Sequence, residues 1–245
     1  MLAIIGGSGL SKLGNMEVTN RRVARTPYGE PSGALTFGRI CDTDVVFLAR
    51  HGYGHTIAPH EVNYCANLWA LKDAGALSVI SVASVGGIRP AFAPGTLALP
   101  HQIIDYTWGR RSTYFEGQGA PVNHIDFTEP YSSPLRVRIL KAAQAAGQPL
   151  IDRGVYAATQ GPRLETAAEI NRLDRDGADV VGMTGMPEAA LAREISLDYA
   201  AIAVVANYAA GRNESEHAVP LDRIGAVLEE AMGRVRRIIE KFCEK

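Results

Sequence analysis

Arg50-His51-Gly52-Tyr53-Gly54-His55 places an arginine and two histidines among glycines, directly after the apolar run Val45–Leu48. Past the end of a strand such a loop suits an oxyanion, because a guanidinium can donate bidentately to phosphate oxygens. A second anion signal is Gly6-Gly7-Ser8-Gly9 after Leu2–Ile5. There the glycines let backbone N–H groups approach, and Ser8 adds a hydroxyl. A third is Ala83-Ser84, read as a strand end ahead of Gly86-Gly87. Neither the G-x-G-x-x-G dinucleotide pattern nor the Gly-Lys-Ser/Thr of a P-loop follows the first strand. Three strand-to-glycine junctions of this kind can converge on one phosphate. Histidine-rich loops also hold metals, but no carboxylate or cysteine stands at ligand spacing, so no metal is expected.

A longer stretch, Gly161 to Glu188, reads as loop, helix, strand, loop, helix. Gly161-Pro162 sets up a helix start, which puts Glu165 in the first helical turn, where a carboxylate suits the dipole. Ala167, Ala168, Ile170 and Leu173 supply the apolar face, and Gly177 the stop. Ala178–Val181 reads as a strand buried on both faces. Met183 and Thr184 lie at its carboxyl end, and Pro187 opens the next helix. Ligands of open α/β sheets bind beyond the carboxyl ends of strands, so Glu165, Met183 and Thr184 can share one site. The alternative for the three is a capping Glu, a core Met and a turn Thr. A further buried strand, Tyr199–Ala206, ends in Asn207-Tyr208-Ala209.

The elements that must position these residues alternate along the chain. Strands are expected at Leu2–Ile5, Arg21–Arg25, Ala34–Phe37, Thr43–Arg50, Leu77–Val85, near His101–Ile104 and at Gly154–Thr159. Helices are expected at Asn63–Ala74, Leu135–Ala146 and Pro187–Ile195, and from Pro220 to the end. In that last helix Leu221, Ile224, Val227, Leu228, Met232, Val235, Ile238, Ile239 and Phe242 recur in three- and four-residue steps. Residues 86–130 read mostly as a glycine- and proline-rich loop carrying Tyr106, Trp108, Tyr114, Phe115, His124 and Phe127. So long a loop suits an interface or a lid. No linker or repeat divides the 245 residues, which gives a single α/β domain.

Composition narrows the partners. A net charge of −1 with no basic block argues against nucleic acid and an anionic membrane surface. The three cysteines are scattered and odd in number, which fits a reducing compartment. No apolar run reaches the ~18 residues of a membrane helix, and the first residues lack a basic signal-peptide n-region. A soluble cytoplasmic protein is expected.

Six ordered segments resemble the trimeric nucleoside phosphorylases, the family of purine nucleoside and methylthioadenosine phosphorylases. They are IIGGSGL (4–10), RHGYGHT (50–56), the turn ending in Gly86-Gly87, GPRLETAAE (161–169), GADVVGMTGMPE (177–188) and the strand ending at Asn207. The resemblance implies a mixed central sheet flanked by helices and a homotrimer with active sites at subunit interfaces. It implies phosphorolysis of a small nucleoside, with inorganic phosphate as co-substrate and no metal or organic cofactor. Ser8, Arg50, His51, Ala83, Ser84 and Thr184 match phosphate-binding positions. Met183 matches the residue under ribose and base, and Leu164 stands where relatives often place a Phe against the purine. Asn207, Tyr208 and Ala209 match the strand end at the base, with Glu165 facing it. His124 matches a position that reaches a neighbouring subunit's site.

Two features of the matched positions bear on specificity. Glu165 with Asn207 is the pair of relatives that cleave 6-oxopurines, whereas relatives that cleave 6-aminopurines carry Asp at the positions of Asn207 and Ala209. At the first turn of the last helix, purine nucleoside phosphorylases offer a His to the ribose 5′-hydroxyl, and this chain has Leu221 by spacing, with Ile224 one turn on. His217 lies four residues too early, ahead of Pro220. The expectation is an oxopurine site joined to an apolar 5′ pocket. Two other classes compete. A Ser–His nucleophile from Ser8 with His51 or His55 lacks a G-x-S-x-G elbow. A non-enzymatic purine sensor would release no free base in the presence of phosphate.

Overall fold

The computed structural model describes residues 1–10, 13–117 and 119–244. Among these, eleven strands form one mixed sheet and five α-helices cover it. In chain order the strands are β1 (Leu2–Gly6), β2 (Glu17–Arg22), β3 (Leu35–Ile40), β4 (Thr43–Ala49), β5 (Ser78–Gly87), β6 (Leu97–Leu99), β7 (Gln102–Asp105), β8 (Ile151–Asp152), β9 (Val155–Ala158), β10 (Val180–Gly182) and β11 (Asp198–Tyr208). The helices are α1 (Tyr64–Asp73), α2 (Ser133–Ala145), α3 (Ala167–Arg175), α4 (Gly185–Glu194) and α5 (Leu221–Cys243).

The apolar runs of β1, β4, β5 and β11 are buried on both faces, as parallel central strands require. Alternate residues feed opposite layers. Ala3, Ile5 and Val79 pack with Leu68 and Leu71 of α1 and Leu191 of α4. Leu2, Ile4 and Ile80 pack with Ile139 of α2 and Met232, Val235 and Ile239 of α5. A smaller cluster holds α3 through Ile170 and Leu173 against Val181 and Ile88.

The sheet opens where the site lies. β5 pairs with β11 along nearly its whole length. On its other edge β1 covers only Ser78–Ser81, and β10 covers only Gly86 and Gly87, running antiparallel. Residues 82–85 therefore have no strand on that edge. The sequence reading ended this strand at Val85, with Ala83 and Ser84 at its end. The structure instead continues β5 to Gly87, because β11 goes on pairing with it past a bulge between Val205 and Asn207. Ala83 and Ser84 are mid-strand residues at a lateral gap.

α3 also starts later than expected. Thr166 is its N-cap, and Thr166 and Glu169 exchange the two hydrogen bonds of a capping box. Glu165 precedes the helix and has no capping duty. The short strand β6 falls in the segment read mostly as loop, and β8 in one to which no element was assigned.

Candidate active site

The gap in the sheet opens into a cavity of about 470 Å³. Ser8, Arg50, His51, Ala83, Ser84 and Thr184 line it, all six of the phosphate positions expected from sequence. Met183, Leu164, Glu165, Asn207 and Ala209 line it too, as do Val219 and Ile224.

Arg50 is 1 % exposed, and its guanidinium is largely engaged. Nε and Nη2 donate to the two carboxylate oxygens of Glu188 at 2.7 and 2.9 Å. Nη2 also donates to Ser81 Oγ at 2.6 Å, and Nη1 to the Val82 carbonyl at 3.0 Å. The bidentate fork expected to face an anion is therefore taken by Glu188, which leaves Arg50 one Nη1 hydrogen without a partner among the described residues. Glu188 is fully buried and accepts further bonds from Ser81 and Tyr199, both at 2.8 Å. Burial works against its charge, but Arg50 and these donors outweigh it and hold the carboxyl below its ordinary range. Burial works against Arg50 likewise, and Glu188 raises its pKa in return. Gly7 is glycine for a related reason. A Cβ there would lie 2.6 Å from the Val82 carbonyl and 2.8 Å from Arg50 Nη1.

His51 is neutral at ordinary pH. Burial, then the charge of Arg50, pushes its pKa down to about 4. Its Nδ1 lies 2.9 Å from the Ile57 carbonyl, which can only accept. The proton is thus on Nδ1, and Nε2 presents a lone pair. His55, assigned a role from sequence only as a partner for Ser8 in the competing nucleophile reading, also lines the cavity. Its ring packs 4.7 Å from that of His51, and its Nε2 is 3.5 Å from Ser8 Oγ. Its φ of 52° is unusual for a residue with a side chain. Thr184 sits at the N-cap of α4, yet its side chain makes no capping bond.

Asn207 Nδ2 donates one hydrogen to the Tyr208 carbonyl at 2.7 Å, which fixes the amide and leaves Oδ1 as an acceptor and the second Nδ2 hydrogen as a donor. Glu165 is half-buried, and its Oε1 accepts from Thr159 Oγ1 at 2.6 Å. Arg163 does not neutralise it, because Arg163 makes a two-pronged bridge to Glu169 at 2.8 and 2.7 Å. That bridge and the Thr166 backbone N–H hold the Glu169 carboxyl down to about 2.

Three expected residues lie outside the cavity wall. Leu221 is 66 % exposed, because the first turns of α5 overhang the core and burial begins only at Leu228. Ile224, expected from sequence, does line the cavity, together with Val219, which was not expected. Tyr208 contributes its carbonyl, which accepts from Asn207 and from Ser215 Oγ, rather than its ring. His124 is exposed on the long loop. His217 is exposed too and absent from the wall, as its spacing implied. Glu188 was missed in sequence. Its signal was a lone carboxylate inside the apolar GMPEAALA. Among the described residues no cluster of three or more metal-ligating side chains occurs.

Residues 1–244 match the family model described as the phosphorylase superfamily. The chain is 51 % identical over 239 residues to a protein of Pseudomonas syringae pv. tomato named probable S-methyl-5′-thioinosine phosphorylase, covering 98 % of this chain and 96 % of that one. It is 46 % identical over 217 residues to a 6-oxopurine nucleoside phosphorylase of Pyrococcus furiosus, covering 86 % of this chain and 80 % of that one. Among solved structures, methylthioadenosine phosphorylase from Schistosoma mansoni in complex with adenine superposes with a TM-score of 0.93 at 32 % identity, covering 99 % of this chain and 90 % of that one. The chain belongs to the phosphorylase superfamily.

Proposed function

We propose that the protein cleaves S-methyl-5′-thioinosine with inorganic phosphate, giving hypoxanthine and 5-methylthioribose 1-phosphate, without metal or organic cofactor. The observation that carries this reading is one cavity lined by three chemically distinct groups: the oxyanion donors, the pair Glu165 and Asn207, and the apolar Val219 with Ile224. Phosphate sits in the gap beside β5, where Ser8, Ser84, Thr184 and the remaining Arg50 hydrogen donate to it. His51 accepts the hydrogen of a protonated phosphate oxygen through Nε2. Phosphate then attacks C1′ as the glycosidic bond lengthens and positive charge grows on the ribose, over Met183. The protein's work is to align phosphate and stabilise the departing base. The departing base gains one proton at N7, matching the one that hydrogen phosphate loses on becoming the sugar phosphate; Asn207 accepts from that N7–H and donates to O6, and Glu165 accepts from N1–H. An adenine base would set its N1 lone pair against Glu165.

The apolar wall accommodates a methylthio group and leaves a 5′-hydroxyl unpaired, a difference of about 1–3 kcal/mol. The names of the relatives from Pseudomonas syringae pv. tomato and Pyrococcus furiosus agree with the oxopurine part of this reading. The proposal extends to a cytoplasmic homotrimer in which His124 of one subunit reaches its neighbour's cavity. Its exposed position, on a loop that also exposes Trp108 and Val122, supports that role. Steady-state kcat/KM for methylthioinosine, methylthioadenosine and inosine, each with and without phosphate, tests the assignment. Methylthioinosine is expected to lead. A lead for methylthioadenosine overturns the base assignment, and a lead for inosine overturns the 5′ pocket.

A further inference from the structure

Glu165 is the group that reads the base edge in the reading above, yet nothing in its own segment fixes its carboxylate. It lies before α3, outside the capping box, and the adjacent Arg163 is bound to Glu169. The one protein hydrogen bond to it among the described residues comes from Thr159, whose Oγ1 approaches Oε1 to 2.6 Å. Thr159 is absent from the cavity wall and follows directly on β9.

Thr159 is itself held from two directions. Its N–H donates to the Gly182 carbonyl at 2.8 Å, at the end of β10. Its carbonyl, and that of Gln160, accept from Arg110 Nη2 at 3.3 and 2.8 Å. The other prong of Arg110 donates to the carbonyls of Met183 and Met186 at 2.8 and 2.7 Å. One guanidinium thus ties the segment bearing Thr159 to the floor of the cavity, so the hydroxyl is fixed relative to Met183.

We propose that Thr159 is a positioning residue that sets base specificity by holding the Glu165 carboxylate with one oxygen occupied and the other turned to the base. This rests on the oxopurine reading of the site. A hydroxyl has one proton, and of its two acceptors here, Oε1 of Glu165 at 2.6 Å and the Gly182 carbonyl at 3.3 Å, the shorter and charged one takes it. Donated to Oε1, it makes a charge-assisted bond that occupies that oxygen and leaves Oε2 free. An ionised carboxylate only accepts, so its free oxygen attracts the N1–H of a 6-oxopurine and repels the N1 lone pair of a 6-aminopurine. Without the hydroxyl, the flexible Glu165 side chain is free to turn away from the base, and both effects shrink together. A purely structural Thr159 would instead alter all substrates alike.

The test compares methylthioinosine with methylthioadenosine in wild type, Thr159→Val, Thr159→Ala and Thr159→Ser, with phosphate saturation recorded for each. Val keeps the shape and removes the hydroxyl, Ala serves if Val does not fold, and Ser restores the donor. The expected result is a loss of roughly ten- to a hundredfold in the ratio of kcat/KM values for Val and Ala, the range for a hydrogen bond to a charged group. Phosphate KM is expected to stay unchanged, and Ser to recover most of the ratio. A wild-type enzyme without preference for methylthioinosine overturns the oxopurine reading and this inference with it. A wild-type preference that survives in Val or Ala overturns the inference alone. So does an equal loss on both nucleosides.

Discussion

Replacing Glu188 with Gln tests whether the buried pair governs both stability and the phosphate end of the cavity. The substitution preserves shape and removes one charge. Arg50 is 1 % exposed and Glu188 0 %, so water cannot take the place of the lost carboxylate. One prong of the fork would also meet an amide NH₂ instead of an oxygen, setting donor against donor at the Nε or Nη2 contact now at 2.7 or 2.9 Å. Breaking a buried pair by removing one partner costs about 3–5 kcal/mol. For a chain of this size each kcal/mol shifts the midpoint by about 2–4 °C, so Tm should fall by roughly 6–20 °C. The second consequence is a coupling to ligand. In the variant, bound phosphate becomes the nearest counter-charge for Arg50, so saturating inorganic phosphate should raise Tm more in the variant than in wild type. Differential scanning fluorimetry with and without phosphate reads both effects, and initial rates give the phosphate KM. A variant melting within about 2 °C of wild type, on the same scale, with equal phosphate stabilisation, would refute the reasoning.

Four further outcomes follow from the same geometry. Between pH 6.5 and about 4 the unfolded chain protonates His51 and the folded one does not, so stability should fall as pH drops through that window; His51→Gln should flatten the pH dependence of Tm there. The lowered pKa of Glu188 has the same sign, its contribution being present above the ordinary carboxylate range and lost as pH falls through its depressed folded value. Glu165→Gln should cut kcat/KM for methylthioinosine with little change in Tm, whereas Thr166→Ala should lower stability by about 1 kcal/mol with kinetics intact, because the cap belongs to Thr166. Ile224→Ser should narrow the preference for methylthioinosine over inosine, and Leu221→Ser should not, a contrast that steady-state kinetics resolves.

How far the sequence reached depended on the range of each interaction. Glycine turns after apolar runs are local, and Ser8, His51 and Ser84 accordingly meet in one cavity. The partner of Arg50 stands 138 residues away, and nothing at position 50 names it. Thr159 was equally hidden, as a hydroxyl at a strand end that acts only through Glu165. The start of α3 was readable, since Thr166-Ala167-Ala168-Glu169 has capping-box spacing, but placing Glu165 in the first turn passed over it by one residue. Leu221 shows a different limit. Helical periodicity marks an apolar face without saying where along the helix the core begins, and here it begins two turns later.

The electrostatics of the phosphate end have a consequence for catalysis under the proposed reaction. Arg50 is balanced by Glu188 and His51 is neutral, so these buried side chains carry no net charge toward the incoming anion. Phosphate is met by oriented donors: the Ser8 and Thr184 hydroxyls, Ser84, backbone N–H groups along the open edge of β5, and a single guanidinium hydrogen. Dipoles bind an oxyanion in place without cancelling its charge. The bound phosphate thus stays negative beside C1′, where positive charge develops as the base departs. A site built on an unpaired arginine would hold phosphate more tightly in the ground state and blunt that attraction in the transition state. In this account Glu188 keeps the arginine charged and rigid while withholding most of its charge from the nucleophile. Glu188→Gln should therefore depress kcat even at saturating phosphate, a loss that a weakened phosphate grip alone would not produce.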